Sequence, residues 1–510
     1  MASLGKSRSD EYDVVVVGAG FGGLSAGASL ARAGKRVLLV ERGEAPGGYG
    51  HAFRRGPYTF DPAVHWTAQA NDGELLDHYL QLLGVRQRVR FTAVHPAYAV
   101  VVAGERFEAP IGVEQFISAH ARRFPAEAEE IGRFVNLALK IVRESQQLTQ
   151  RLSLADLDRA SKQFPTLFRY RTALQQEVLD EHFRDPRLKA LLSAIWPYFG
   201  VPPSAVSFMQ FASMLINIMA TGTSYSLGGF QVLADAFVAA LEQHGGELLL
   251  NTQVTGIHLD DGRVAGVGLQ DGSTVRAKAV VSNADARQTF EQLVGLEHLP
   301  DRFVSRLLRM KPSLSAFVVY AATTLDLGAS GLAAETFLWK TWDPEESYRD
   351  VLAGRPGGMW ISIPTLHDPS LAPPGEHTVI FSSLMPYDIG VPWDEAKKGY
   401  TDRLLAELES VLPGFGASVT FLEVATPLTF ERYTLNQRGA IYGWDSIPSQ
   451  STPRRLPQVT PVPGLYLAGH WTDPGSGSFR SMYSGLFAAA LALGYQTPQS
   501  LLETFAGAPR

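Results

Sequence analysis

The stretch Asp13–Glu41, DVVVVGAGFGGLSAGASLARAGKRVLLVE, decides the fold. Val14–Val17 is an apolar run of strand length, and Gly18-Ala19-Gly20-Phe21-Gly22-Gly23 follows it at once. Ser25–Ala33 reads as a helix of small residues, and Val37–Val40 as a second strand ended by Glu41. Each part has a task in a βαβ dinucleotide site. Gly18 permits the tight turn, Gly20 lets the backbone approach a pyrophosphate, and Gly23 lets helix and strand pack closely; Gly22 belongs to the same run. The helix N-terminus offers free N–H groups and a partial positive charge to the phosphates. Glu41 stands 23 positions past Gly18, where a carboxylate accepts ribose hydroxyls. Glycines alone would also suit an ordinary loop. Here strand, glycines, helix, second strand and acid come in order, so we read a dinucleotide site.

Glu41 would repel a 2′-phosphate, which argues against NADP and leaves FAD and NAD. Arg42 and Gly47-Gly48 complete a pattern E-R-x4-G-G. The glycine pair allows a second close approach to a long cofactor and favours FAD; taken by itself it is also a plain turn.

The 510 residues are 45% hydrophobic and 19% charged, too many for one compact core and enough for two interleaved domains. A net charge of −6 supplies no basic field for nucleic acid. The chain has no cysteine, which excludes disulfides, thiolate metal sites and a cysteinyl-linked flavin, and fits a cytoplasmic location. No metal site is expected. The N-terminal MASLGKSRSDEYD lacks an apolar signal core. The most apolar long stretch, Ala205–Ala220, is short for a membrane span. Gln210, Ser213, Asn217 and Thr221 form one polar stripe on it, so it reads as a buried or cavity-lining helix.

After Gly48 the sequence YGHAFRRGPYTFD reads as a short hairpin, followed by Pro62-Ala63-Val64-His65-Trp66. His51 and His65 flank it near the cofactor loops. They are either hydrogen-bonded structural imidazoles or, in one case, a group facing the reactive end of the cofactor. From Val113 to Tyr198 apolar residues recur at helical spacing, and Asp185-Pro186 reads as a helix start. Within this region Phe164–Arg171 mixes aromatics and cations. It suits a membrane surface or a loop packed on the core. From Leu227-Gly228-Gly229 onward a helix leads into a meander punctuated by Asp-Gly turns and ending at Val275–Val281. Ala316–Tyr320, Met359–Ile363 and Thr378–Ser382 suggest a second sheet, covered by a helix over Lys397–Leu412.

Near the C-terminus, Gly464–Gly469 is a short strand ending in glycine. His470–Ser478 is a loop containing Gly475-Ser476-Gly477, and Met482–Leu493 is a small-residue helix. The fingerprint is incomplete and no acidic strand follows. This helix therefore reads as aimed at the flavin end of the same cofactor, where its N-terminus would stabilise the reduced anion.

Taken together, the chain resembles the phytoene desaturase superfamily of FAD-dependent amine-oxidase-like flavoproteins, most of all its carotenoid cis–trans isomerase and retinol saturase branch. The likeness rests on the first βαβ unit, Gly47-Gly48 with His51, Phe60-Asp61 with His65, Leu227-Gly228-Gly229, Asp368–Gly375, Gly439–Gly443 and Gly464–Gly485. It implies an α/β fold: a discontinuous Rossmann-like FAD-binding domain of the glutathione-reductase type with an inserted α+β substrate domain. Boundaries on this reading are a polar tail at 1–11, FAD-binding segments 12–110, 222–310 and 420–510, and substrate segments 111–221 and 311–419. It also implies pyrophosphate on Gly18, Gly20 and Gly23, ribose on Glu41, a backbone contact from Val254 to adenine, and the Gly469–Gly477 loop at the flavin end. There the expected contacts are Gly469, His470, Gly475 and Gly477. His470 stands where many members carry an acid, and Phe60-Asp61-Pro62-Ala63 replaces a Phe-Asp-x-Gly pattern.

The activity so implied is FAD-dependent chemistry on carbon–carbon bonds of a long polyene or isoprenoid: desaturation, saturation or cis–trans isomerisation. An external electron donor or acceptor is expected, since no second complete G-x-G-x-x-G is present. A proton donor or acceptor is needed beside the flavin; His65 is the first candidate and His51 the second. The alternatives are an amine oxidase on the same fold and a non-enzymic prenyl-binding protein. No spanning helix is expected, and any membrane contact would be monotopic, through Phe164–Arg171 or the helix ending near Ala220.

Overall fold

A computed structural model describes residues 11–147 and 157–507. The polar tail at 1–11 lies outside these residues except for Glu11, which opens the first strand. That strand, Glu11–Val17, pairs in parallel with Val37–Val40 on one edge and with Thr274–Ser282 on the other. The helix Phe21–Arg32 connects the first two strands. Glu247–Leu249 extends the sheet beyond Val37–Val40. The far edge of Thr274–Ser282 is shared. Its first half pairs with Arg263–Leu269 of the meander, and its last residues pair in parallel with Leu465–Leu467. Burial follows this division: Thr274–Lys278 alternates between exposed and buried, while Val280–Ser282 is wholly buried. A parallel strand covered on both faces reads as a continuous apolar run.

The second sheet runs in the order Val419–Ala425, Ser315–Thr323, His377–Met385, Met359–Ser362, Glu335–Trp339, Tyr98–Val102, Glu105–Ala109. One face carries Phe317, Val319, Ile361 and Phe381 and packs on the helix Trp393–Glu409. The other carries Tyr98, Phe337, Trp339 and Tyr320 and packs on the helical layer between Val113 and Ile216. Two corrections to the expected boundaries follow. Tyr98–Val102 and Glu105–Ala109 belong to this sheet rather than to a cofactor segment reaching residue 110, and Val419–Ala425 belongs to it as well. The pairing Thr336↔Ala99 joins strands more than 230 residues apart, and no local pattern discloses it. The chain leaves for the helical layer and returns from it through an antiparallel pair, Phe91–Val94 with Thr223–Ser226.

The apolar stretch near Ala205 forms the helix Phe208–Ile216 and a π-helical turn, Asn217–Thr221. Two side chains of its polar stripe, and the backbone at its end, are bonded from the cofactor side. Ser213 Oγ accepts from Arg480 at 3.0 Å, Asn217 Oδ1 from Gln69 at 3.2 Å, and the Thr221 carbonyl from Asn71 at 2.5 Å. No helix among the described residues is long and apolar enough to cross a membrane. Of Phe164–Arg171, Phe164, Leu167 and Tyr170 are core residues, Phe168 is half-buried, and Arg169 and Arg171 are exposed. The segment is a helix, Pro165–Tyr170, so Phe164 presents nothing to a membrane.

Candidate active site

The glycine run is held by its own backbone. Gly18 takes φ +91°, a conformation that L side chains rarely adopt, and its N–H donates to the Val40 carbonyl at 2.8 Å. A Cβ on Gly23 would fall onto the Gly18 carbonyl oxygen, and one on Gly22 would lie 2.5 Å from the Gly469 amide nitrogen. A Cβ on Gly485 would fall onto the Gly22 carbonyl, so the helices Phe21–Arg32 and Ser478–Ala492 cross at bare backbone. Gly20 differs. Its nearest neighbour is the end of a side chain, Asn283 Nδ2, at 2.7 Å from the added Cβ, and its φ of −68° suits any residue. Gly22 and Gly23 thus serve packing, whereas Gly20 keeps open space at the helix N-terminus. Gly47 donates to the Ala19 carbonyl at 2.7 Å, and a Cβ on Gly48 would lie 2.9 Å from Gly20 Cα. The two glycine motifs therefore lie side by side.

Glu41 accepts from the N–H groups of Ala19 and Gly43, each at 2.7 Å. The carboxylate fixes the loop and keeps further lone pairs for hydroxyl donors. Segment 249–252 runs alongside it: Glu41 N–H donates to Leu249, Thr252 N–H to Glu41, and Asn251 N–H to Gly43. This brings Val254, the first residue of the strand Val254–Asp260, to the Glu41 end. Arg42 turns away and donates to the carbonyls of Arg432 and Tyr433 at 2.7 and 3.0 Å. A cradle of open glycine backbone, a helix N-terminus and an acid 23 positions on fits an adenine dinucleotide.

Three stretches quoted for the family likeness meet behind the hairpin Phe53–Phe60. Asp61 accepts from Tyr225 OH at 2.6 Å and from the Phe230 N–H at 2.8 Å, and Asp368 accepts from the Gly228 N–H at 2.5 Å. Burial pushes the Asp61 carboxyl up to about 7. Asp61 therefore pins the hairpin to the helix Phe230–Gln243.

At the other end, Gly469 lies against Gly22, and its N–H donates to Ser484 Oγ at 2.7 Å. Around the following loop, Tyr49 OH donates to the Ala440 carbonyl (3.0 Å), and Asn436 donates to Tyr49 OH (3.2 Å) and reaches His470 Nε2 (3.4 Å). Trp471 donates to Asn436 at 3.0 Å. Burial, helped by the nearby Arg455 charge, drives His470 down to about 3, so it is a neutral imidazole. Arg455 is itself fully buried and donates to the carbonyls of Tyr442, Trp444 and His470. Burial lowers it to about 9, so it still carries its charge at neutral pH. It sits beneath Gly475, whose added Cβ would lie 3.5 Å from the guanidinium carbon. Gly477 is the N-cap of the helix Ser478–Ala492.

The two histidines fall on either side of the hairpin. His51 Nδ1 bonds the Gly48 carbonyl at 2.7 Å, and desolvation lowers it below the usual histidine range. His65 is buried, its Nε2 has no hydrogen-bond partner among the described residues, and burial drives it down to about 4. Burial thus disfavours the charged form of His65, which at pH 7 is an uncharged imidazole. Beside it, the Trp66 carbonyl accepts from Ser478 Oγ (3.2 Å) and Trp66 Nε1 donates to Tyr198 OH (3.2 Å). Tyr198 OH in turn reaches Glu335. Sequence reasoning missed Arg455, Arg480, Tyr198 and Glu335. The signal was faint: a lone acid in the apolar run Leu332–Trp339, and a tyrosine between Trp196 and Phe199.

Fold and site together define a flavoprotein oxidoreductase with a dinucleotide cradle at one end of its cofactor sheet and a mostly apolar second layer at the other. The chain belongs to the flavin containing amine oxidoreductase family, whose model matches residues 21–493, and FAD is its cofactor. It is 29% identical to prolycopene isomerase 2, chloroplastic, of an Oncidium hybrid cultivar, over 97% of this chain and 86% of that protein. To the all-trans-retinol 13,14-reductase of Macaca fascicularis it is 27% identical, over 90% of this chain and 82% of that one. Among solved structures it is similar to wild-type putrescine oxidase bound to putrescine, with a TM-score of 0.66 and 16% identity over 95% of this chain and 99% of that one. At that identity the likeness concerns the fold.

Proposed function

We propose that this enzyme acts on carbon–carbon bonds of a long polyene or isoprenoid, by desaturation, saturation or cis–trans isomerisation, with an external electron partner. One observation carries the reading. Where the flavin-end helix meets the apolar layer, His65 and Glu335 are buried on either side of Trp66 and Tyr198, and the cation of that junction, Arg480, is turned onto Ser213. His65 is an uncharged imidazole, burial keeps Glu335 a neutral acid, and the walls are Trp66, Tyr198 and Phe337. Such a lining suits a hydrocarbon and offers an ammonium ion no ionised carboxylate. The names of the isomerase and reductase relatives support the same substrate class.

Bound FAD supplies two-electron exchange. The chain's part would be to hold the pyrophosphate at the Gly18–Gly20 turn and the helix N-terminus, with Gly23 packed behind the turn, the ribose on Glu41 and the flavin end beside Gly469, His470, Gly475 and Gly477. Arg455 places a fixed positive charge under that loop, which favours negative charge nearby. His65 and Trp66 exclude water. We place the protein in the cytoplasm, with peripheral membrane contact through the exposed Arg169 and Arg171 beside Phe168.

Anaerobic incubation of the purified holoenzyme with a panel of polyenes and isoprenoids tests the function, read by flavin bleaching and product mass. A change of two hydrogens gives saturation or desaturation, and unchanged mass with a shifted absorption spectrum gives isomerisation. Flavin reduction by amines, with the polyenes inert, overturns the proposal.

A further inference from the structure

The face of the second sheet that looks towards the helical layer buries one acid among the described residues; Glu105 and Glu423, on the same face at its outer strands, are only half-buried. Glu335 opens the strand Glu335–Trp339 and is 3% exposed. Its recorded hydrogen bonds come from hydroxyls: Ser362 Oγ reaches Oε1 at 2.5 Å, and Tyr198 OH reaches Oε2 at 3.3 Å. Tyr198, on the turn Trp196–Phe199, is half-buried, and its ring is set edge-on against Phe337 (5.1 Å) and Trp66 (5.6 Å). Its oxygen already accepts from Trp66 Nε1, and Trp66 is tied to the first turn of the flavin-end helix through Ser478. Hydrogen bonds thus run from a buried acid through Tyr198 to the Trp66 ring, and the Trp66 backbone carbonyl ties that residue to the first turn of the flavin-end helix.

Burial pushes Glu335 up to about 8, so at pH 7 it holds a proton. The groups facing it are tyrosines. Tyr198 is bonded to it, and Tyr98 lies beside it on the adjoining strand, one residue before the Thr336↔Ala99 pair. Tyr225 faces it from the strand Thr223–Ser226 with its hydroxyl on Asp61, and Tyr442 stands near Tyr198. Burial raises all four above their usual range, while His65 beyond Trp66 is neutral. A structural link between Ser362 and Tyr198 would be met by a glutamine, without the cost of burying an ionisable group. A neutral acid adds what an amide lacks, a proton that can leave. Tyr198 OH is placed to accept it while giving up its own.

We propose that Tyr198 and Glu335 form the proton-delivery pair of this enzyme, with Tyr198 exchanging a proton with the substrate carbon and Glu335 behind it storing and restoring that proton. The inference rests on the function proposed above. In the direction of saturation, the substrate's π bond breaks. One carbon receives a hydride, for which the reductant is reduced flavin, and its neighbour receives the Tyr198 proton. The Glu335 proton moves to the tyrosyl oxygen, and the carboxylate left behind is reprotonated from water. Desaturation runs the same transfers backwards. Tyr198 is the candidate catalytic residue and Glu335 its positioning residue.

The test uses the FAD-loaded protein and the variants Glu335→Gln and Tyr198→Phe. Infrared difference spectra of wild type should show a buried carboxylic acid at pH 7 that ionises as pH rises through about 8, and Glu335→Gln should lack it. Both variants should keep the flavin spectrum while product formation slows about 10²–10⁴-fold, the usual range for a lost general acid. The wild-type rate of saturation should fall with the same ionisation, and that pH dependence should disappear in Glu335→Gln. If Glu335→Gln does not fold, Tyr198→Phe reports the same step. An active wild type matched by both variants, or no protonated acid at pH 7, overturns the pair. A wild type inert to every polyene and isoprenoid overturns the underlying function instead, and is told apart because the unmutated enzyme is then silent.

Discussion

Gly20 and Gly23 stand three residues apart in one motif, yet the structure gives them different tasks, and paired substitutions separate the two. Gly20→Val places a branched side chain at the helix N-terminus. Its backbone, at φ −68° and ψ 170°, accepts valine without strain. The only group closer than 3.9 Å to the new Cβ is the Asn283 amide, the tip of a flexible side chain. Moving it costs about 0.5–1.5 kcal/mol, as for a displaced rotamer. The apoprotein should therefore melt within a few degrees of wild type. The cofactor fares worse, because the valine occupies the space that lets the phosphates reach the N–H groups. Loss of two charge-assisted hydrogen bonds, at about 1.5–3 kcal/mol each, amounts to roughly 3–6 kcal/mol. At 1.4 kcal/mol per tenfold, FAD should bind about 10²–10⁴-fold more weakly, and the protein should purify colourless. Gly23→Ala reverses the pattern: its methyl collides with the Gly18 carbonyl, which cannot rotate away, so the fold itself should be damaged. Circular dichroism melting of the apoproteins and FAD titration by absorbance read the two effects separately. Full flavin occupancy in Gly20→Val, or a Gly23→Ala apoprotein as stable as wild type, would refute the division of labour.

Glu41→Ala frees two backbone N–H groups and removes the ribose acceptor; FAD affinity should fall about 10–100-fold, from charge-assisted bonds of about 1.5–3 kcal/mol, and native affinity in a titration counts against the ribose assignment. Stability should fall as pH rises from 7.5 to 8.5, above the range in which the buried histidines' unfolded counterparts titrate and contribute with the opposite sign. Glu335, Asp61 and Asp445 are held near 8, 7 and 7 in the fold, while their unfolded counterparts are already ionised, so the folded state binds more protons and loses that advantage as they ionise. Melting curves at constant ionic strength check this, and a rise across the window contradicts the burial. His65→Gln should keep the flavin spectrum and turn over within about tenfold of wild type, since a neutral imidazole that makes no bond at Nε2 lines the site; a loss of 10²-fold or more would return the proton role to His65. Liposome flotation of wild type should be weakened by replacing Arg169 and Arg171 with glutamate, and protein that never floats removes the membrane contact.

The cofactor half was legible because its requirements are local. Val14–Val17, the glycines, the small-residue helix and Glu41 sit within 29 residues and are each dictated by one backbone geometry. The meander was legible for the same reason, since Asp-Gly turns set its hairpins. Long-range pairing was not. Tyr98–Val102 joins the second sheet only because Glu335–Trp339 lies beside it, and Tyr98–Val102 by itself looks like any buried strand. Phe164–Arg171 stayed open between a membrane surface and a core-packed segment because its composition suits both, and the burial of Phe164 is set by helices distant in sequence.

The same distinction explains why the glycine cradle could be read residue by residue and the reaction could not. Binding a pyrophosphate needs backbone N–H groups in one conformation, and glycine is the residue that conformation selects. Moving a proton needs a pKa, and a pKa is a property of surroundings. His65 and His51 were the natural candidates because isolated imidazole titrates near neutrality, but burial takes His65 down to about 4 and makes it a weaker base than a free imidazole. The same burial takes Glu335, in isolation a poor proton store at pH 7, to about 8. Desolvation disfavours whichever form is charged, so it moves acids up and imidazoles down and can exchange their roles. In a site built to exclude water from a hydrocarbon, the group to seek is therefore a buried acid whose contacts are hydroxyls. Glu335 meets that description, with Ser362 on one oxygen and Tyr198 on the other.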